Sequence, residues 1–348
     1  MIAAQQPEAA LAAGRWVKLI CGAGNQDLAA IEDLCALYSL AGVHCIDVAA
    51  DAAVAAAARR GMDWAEQRGA ARPWLMLSLS DGVDPHFRKA QFDPERCPAD
   101  CPRPCQRVCP ALAIGPSGGV VQERCYGCGR CLPACPLGLI REEQLLLSAD
   151  AVPALLASVA PDAVELHTQA GRAEAFAERL QQVLRSGVPL KRLAVSCGLE
   201  RGAGRPGAAS APEPTPLSAR ELAEELWQRF VLLRQAGQRP LWQLDGRPMS
   251  GDVGAGTARS AVKLLDAIRA WAPPGPLQLA GGTNASTAAL LDADSGAAGV
   301  AFGGMARSLL QPLLLDAEGR GLPLRDCPDL LAQALELARG LLAPWLTR

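Results

Sequence analysis

Eight of the chain's 13 cysteines crowd into residues 97–135, in two runs of four. Cys97, Cys101, Cys105 and Cys109 have three residues in every gap, and Pro110 follows the last of them. Cys125, Cys128, Cys131 and Cys135 follow the pattern C-x2-C-x2-C-x3-C, with Pro136 behind. The second pattern is the bacterial ferredoxin run, in which three close thiolates clasp one 4Fe-4S cube and the fourth reaches a second cube. The first run is looser. Both runs continue alike, Cys109 to Ile114 reading CPALAI and Cys135 to Ile140 reading CPLGLI. Such an internal repeat predicts a pseudo-symmetric module with two 4Fe-4S clusters. Crossed ligation assigns Cys125, Cys128, Cys131 and Cys109 to one cluster, and Cys97, Cys101, Cys105 and Cys135 to the other.

Iron in such clusters takes soft, anionic thiolates, and short loops let successive sulfurs reach corners of one cube. Gly127 and Gly129 are expected to keep side chains away from the cube, and backbone N–H groups between the ligands to donate to sulfur. Zinc is the competing metal, but its usual four-thiolate site is built from two separated C-x2-4-C pairs. A disulfide framework suits small secreted domains, and the N-terminal residues show no secretory signal. Cysteines kept for metal imply a reducing cytoplasm. The scattered Cys21, Cys35, Cys45, Cys197 and Cys327 read as small buried hydrophobes.

Around this stretch the chain alternates strand and helix. Short apolar runs begin near Trp16, Val43, Trp74, Ala163, Leu193, Pro240, Leu277 and Val300, and helical periodicity follows most of them. Eight such units predict a (β/α)8 TIM-like barrel, with the cysteine module inserted in the third βα connection. The expected division is a first part of the barrel at 15–84, a two-cluster ferredoxin-like insertion at 85–142, and the remainder at 143–348. Residues 201–216, rich in Gly, Ala and Pro, read as a flexible loop. Ser218 and Glu221 have the spacing of a capping box.

The ends of the last two predicted strands carry Gly281, Gly282 and Thr283, and Gly303 and Gly304. Barrels commonly bind phosphate there, through bare backbone N–H groups and a helix N-terminus. These five residues are the candidate cofactor-binding set for a flavin or another phosphate-bearing ligand; glycines needed only for tight turns are the alternative. Gly22-Ala23-Gly24 followed by Asp47 mimics a dinucleotide fingerprint, and with it an open Rossmann-like sheet. Asp27 stands where the third glycine belongs, and a carboxylate there repels a pyrophosphate, so Asp27 reads instead as a helix cap.

In a barrel, Asp47, Ser80, His167, Cys197 and Asp245 lie near the C-terminal ends of strands and are candidates for the mouth. Lys18 sits inside the first strand and, if buried, requires an acidic partner, for which Asp47, Glu165 and Asp245 are available. His44 and His86 show no specific signal. No nucleophile–base–orienter set assembles from the sequence, so no catalytic residue is named. A net charge of −2 with 4% aromatic residues argues against a nucleic-acid surface. No run of 18 apolar residues is present, so no membrane span is expected.

The opening RWVKLICGAGNQD at Arg15 to Asp27, CPADCPRPC from Cys97 and CYGCGRC from Cys125 together resemble the cyanobacterial light-dependent period protein family (LdpA). The likeness is firmest from about residue 15 to 140 and continues towards the C-terminus. It implies an iron–sulfur redox-sensing protein on the input side of the circadian clock, with clock input and core clock proteins as partners. Electron transfer to a small redox-active molecule in the barrel is the alternative function.

Overall fold

The computed structural model describes residues 6–200, 216–247, 254, 256–292 and 294–348. Eight strands form a closed, all-parallel barrel. In chain order they are β1 (Trp16–Gly22), β2 (Cys45–Ala49), β3 (Trp74–Ser80), β6 (Ala163–His167), β7 (Arg192–Gly198), β8 (Pro240–Asp245), β9 (Leu277–Ala280) and β10 (Ala297–Phe302). Each pairs with its neighbours in the barrel, and β1 closes the ring by pairing with both β2 and β10. The closed ring excludes the open Rossmann-like alternative. Asp27 is a cap: its side chain accepts the Ala30 N–H at 3.1 Å and starts α2 (Leu28–Ala41).

Side chains alternate between two layers. Outward-facing residues such as Val17, Leu19, Ile46, Val48, Leu77 and Val195 pack against the surrounding helices. These are α3 (Ala52–Glu66), α6 (Ala151–Val159), α7 (Ala173–Arg185), α8 (Ala219–Gln235), α9 (Ala258–Ile268), α10 (Gly304–Gly319) and α11 (Pro328–Leu346) beside α2. Ser218 and Glu221 form the expected capping box at the start of α8. Of the flexible loop expected at 201–216, residues 201–215 lie outside the described residues.

Inward-facing residues build the barrel interior from floor to mouth. Trp16, Cys45, Trp74, Met76, Ala163, Ala194 and Leu241 fill the floor. A short helix that sequence periodicity did not reveal, α1 (Pro7–Ala12), closes it with Leu11. Glu8 anchors this helix by accepting two bonds from the Arg192 guanidinium, at 2.9 and 2.8 Å.

The cysteine stretch lies between β3 and β6. It is tied off by an antiparallel hairpin of β4 (Arg88–Gln91) and β5 (Arg141–Gln144), in register from Arg88↔Gln144 to Gln91↔Arg141. Two four-residue helices, α4 (Pro104–Arg107) and α5 (Cys131–Ala134), occupy matching places in the two halves. Among the described residues no helix is long and apolar enough to cross a membrane.

Candidate functional site

The inserted module has its own small apolar core, in which Ala90, Ala113, Ile114 and Ile140 pack with Cys105, Cys125 and Cys131. Cys109, Cys125, Cys128 and Cys131 line one cavity there. Cys131 is pushed up to about 12 by burial and by the neighbouring Cys128, Cys109 and Cys125. Burial also raises Cys128, again with Cys109 and Cys125 beside it. Four thiols crowded in this way resist carrying negative charge together unless a cationic centre sits among them, so the donor set fits a thiolate-ligated metal cluster.

In the other half, Cys105 is raised by burial with Cys135 and Cys101 close by, while Cys97 lies against Gly118. The sequence repeat has a structural counterpart. The Ala113 N–H donates to Cys109 Sγ at 3.3 Å and the Leu139 N–H to Cys135 Sγ at 3.4 Å, each four residues on from its cysteine. A third N–H, from Ala90, reaches Cys125 Sγ at 3.3 Å.

Gly127 and Gly129 also meet a demand of the fold itself. Both have positive φ, 75° and 76°. A Cβ on Gly127 would collide with the Arg88 carbonyl, and one on Gly129 with the Arg88 guanidinium. The glycines make room for β4. Arg88 uses that approach to clamp the loop, donating from Nε to the Gly127 carbonyl at 3.0 Å and from Nη1 to Glu142 at 2.6 Å.

The barrel mouth holds a second cavity, of about 110 Å³. Gly281, Gly282, Thr283, Gly303 and Gly304 all line it, so the structure brings the five candidate residues together. A Cβ on Gly282, at φ 90°, would lie 3.0 Å from the Thr257 carbonyl oxygen. Thr283 is less available than its position suggests, since its hydroxyl donates to the Ala301 carbonyl. Sequence reasoning did not single out Arg307, which lies one turn into α10. It is 7% exposed, its Nη1 donates to the Ile20 carbonyl at 2.8 Å, and its Nε has no hydrogen-bond partner among the described residues.

Of the strand-end candidates, Asp47, His167 and Asp245 reach the mouth cavity. Cys197 does not: strand alternation turns it into the helix-facing core and leaves Ser196 inside, bonded to Asp245. Ser80 is used in its own turn, donating to the Gly82 carbonyl at 2.7 Å.

Below the mouth lies a buried charge network. Lys18 pairs with Glu165 and, at 3.4 Å, with Asp47. Of the three acids considered for it, Asp245 is not a direct partner and bonds Ser196 and Gln243 instead. Burial opposes the charge on Lys18, but Glu165 and Asp47 outweigh it and raise the pKa. Glu165 is also 3.1 Å from His167 Nε2. Burial lowers His167 by itself, yet the bond to Glu165 and the charges of Glu165, Asp84 and Asp245 raise it to about 9. His86, which carried no signal in sequence, stands beside this group with its ring 4.8 Å from that of His167. Its place was illegible because residues 81–87 form the arm that leads into the module.

Tyr126, set between two cysteines of the second run, lines both the cysteine cavity and the mouth cavity. The Arg307 guanidinium covers its ring.

Comparison with known proteins matches residues 97–146 to the LdpA Fe-S cluster-binding domain and residues 155–344 to the Light dependent period A C-terminal domain. A relative from Synechococcus elongatus, "Light dependent period A", is 44% identical over 99% of this chain and 94% of its own. Solved structures that align include tryptophan synthase of Mycobacterium tuberculosis, with 15% identity, TM-score 0.43 and coverage of 96% of this chain and 95% of that one. Another is (S)-3-O-geranylgeranylglyceryl phosphate synthase of Thermoplasma acidophilum, with 10% identity, TM-score 0.38 and coverage of 95% and 97%. Both scores are low, and the barrel stands on its own strand pairing. A C-terminal domain matched over more than half of the chain and a relative matched almost end to end place this iron–sulfur protein in the Light dependent period A family.

Proposed function

We propose that the protein is a redox sensor on the circadian clock input pathway, working in the cytoplasm. In this reading the eight cysteines hold two 4Fe-4S clusters by crossed ligation, and cluster state changes which clock input and core clock proteins bind. The observation that carries it is the convergence of Cys109 with Cys125, Cys128 and Cys131 on one cavity, across two separate runs. The fold of the module supports the coupling. Apart from one small core it is made of turns, two short helices and a two-stranded hairpin, so its order depends on what the cysteines hold. Any bias on partners comes from a difference between bound and free states. The test is a pull-down from cell extract with anaerobically reduced, oxidised and cluster-free protein. A partner set that changes with cluster state is expected; an identical set in all three overturns the reading.

The shared wall at Tyr126 favours a second reading, an oxidoreductase in which the clusters supply electrons to a phosphate-bearing ligand, flavin among the candidates, held at Gly281, Gly282, Thr283, Gly303 and Gly304. The visible spectrum separates the two: resolved bands beside the broad cluster absorption favour this reading, and their absence favours the sensor.

A further inference from the structure

We propose that the junction between the inserted module and the barrel mouth is a binding site for one divalent transition-metal ion, held by His86, His167 and Asp84 and separate from the cysteine sites. The three residues offer one ligand atom each, and these atoms lie within 4.8 Å of one another. Imidazole and carboxylate together suit zinc and its neighbours among the first-row divalent metals.

The way His167 is held adds to this proximity. Histidines that ligate metals almost always use their second ring nitrogen to bond a carboxylate, carbonyl or water, which fixes the ring and its tautomer. His167 shows this arrangement, with its Nε2 3.1 Å from Glu165 Oε1, which leaves Nδ1 for an ion. Its ring is 4.8 Å from that of His86. His86 Nδ1 and Asp84 Oδ1 stand side by side at 2.7 Å, and an ion between them would take the place of the proton they share.

The surroundings favour a cation. Asp84 is 5% exposed and Glu165 is fully buried, and both histidine rings and Asp245 line the same cavity. Phe87 packs edge-on against His167, its ring centroid 5.2 Å away, so the arm's approach is held by apolar contact as well. The cavity also gives the ion access from the mouth.

The donors stand wider apart than in a formed site. Metal–nitrogen distances of about 2.0–2.1 Å place donors in a tetrahedral site about 3.3 Å from one another. The ion would therefore draw the rings together. His86 and Asp84 belong to the arm before β4, whereas His167 ends β6, so metal binding would fasten the cysteine module to the barrel. This site goes beyond the sensor reading, and its test does not depend on clock partners or on turnover.

The experiment is anaerobic titration of chelator-washed, cluster-loaded protein with Zn2+, with iron content measured before and after. One zinc per chain is expected to bind with the iron count unchanged. His86→Ala and Asp84→Asn should each weaken that site at least tenfold without changing iron content. His167→Gln should do the same, and if that variant fails to fold, His86→Ala on the half-exposed arm decides alone. Failure of the cluster-loaded protein to bind zinc, or zinc binding unaltered in His86→Ala, overturns the proposal.

Discussion

The Arg307 guanidinium lies 4.0 Å from the centre of the Tyr126 ring. This contact joins the loop between two cysteines of the module to the first turn of α10 on the barrel. A cation over an aromatic face contributes about 0.5–2 kcal/mol. Arg307→Ala should therefore loosen the module, and iron release to a chelator should speed up several-fold. Arg307→Lys keeps the charge and loses the planar stack and most of the reach to the Ile20 carbonyl, so it should restore only part of the difference. Equal release rates in the three proteins would show that the junction does not hold the module.

Cys128→Ala should reduce iron by at least half and disturb the electron paramagnetic resonance of the remaining cluster. Cys128 shares its cavity with Cys109, and the chain from Cys109 leads back into the other run. Metal analysis of anaerobically purified wild-type protein that found zinc in place of iron would reject the cluster assignment.

Lys18→Met should cost roughly 3–5 kcal/mol, the usual penalty for leaving a buried charge without its partner. Asp47 and Glu165 would then face each other across the barrel interior, both 2% exposed or less. Adding Glu165→Gln to Lys18→Met should recover part of the loss. Thermal midpoints of the single and double variants check this, and a neutral Lys18→Met would mean that water reaches the network.

His44 makes stability pH-dependent. Its buried ring accepts the Val17 N–H on Nδ1 at 3.1 Å, and burial lowers its pKa to about 4. The unfolded chain, with histidine near about 6.5, takes up a proton first as pH falls. Stability from this group is full above about pH 6.5 and is lost progressively as pH falls towards 4, an upper bound of about 3 kcal/mol. His44→Gln should flatten the fall in denaturation midpoint between pH 7.5 and 5; an unchanged slope would assign the dependence to other groups.

Gly282→Val should abolish retention of any phosphate compound at the mouth while leaving iron content intact. At φ 90° a branched side chain is strained, and its Cβ meets the Thr257 carbonyl oxygen at 3.0 Å. Phosphate analysis of cluster-loaded wild type and variant is the measurement; no phosphate compound in either, and none bound on addition, would refute the pocket assignment.

Much of the architecture was legible because its signals are local. Apolar runs with helical periodicity between them located the eight barrel strands, and Asp27 and Ser218 marked helix starts through bonds to N–H groups three residues away. The acidic partners of Lys18 followed from the cost of burying a lone charge, although the interior geometry chose Asp47 and Glu165 over Asp245. Cys197 was misplaced because a strand-end position does not say which way a side chain points. The register of β7 turns Ser196 inward and Cys197 out.

The sequence by itself determined that two four-cysteine runs form a repeat suited to iron, and that they interrupt an eightfold alternation of strand and helix. Spacing along a chain carries both facts, since ligand reach and side-chain periodicity act over a few residues. Only the tertiary structure decided that Gly127 and Gly129 serve the approach of Arg88, that α1 plugs the barrel floor, and that Tyr126 meets Arg307. It also brought His86 beside His167. These contacts join residues far apart in sequence, and they depend on how the arm before β4 folds back over the mouth, a path that no local pattern records.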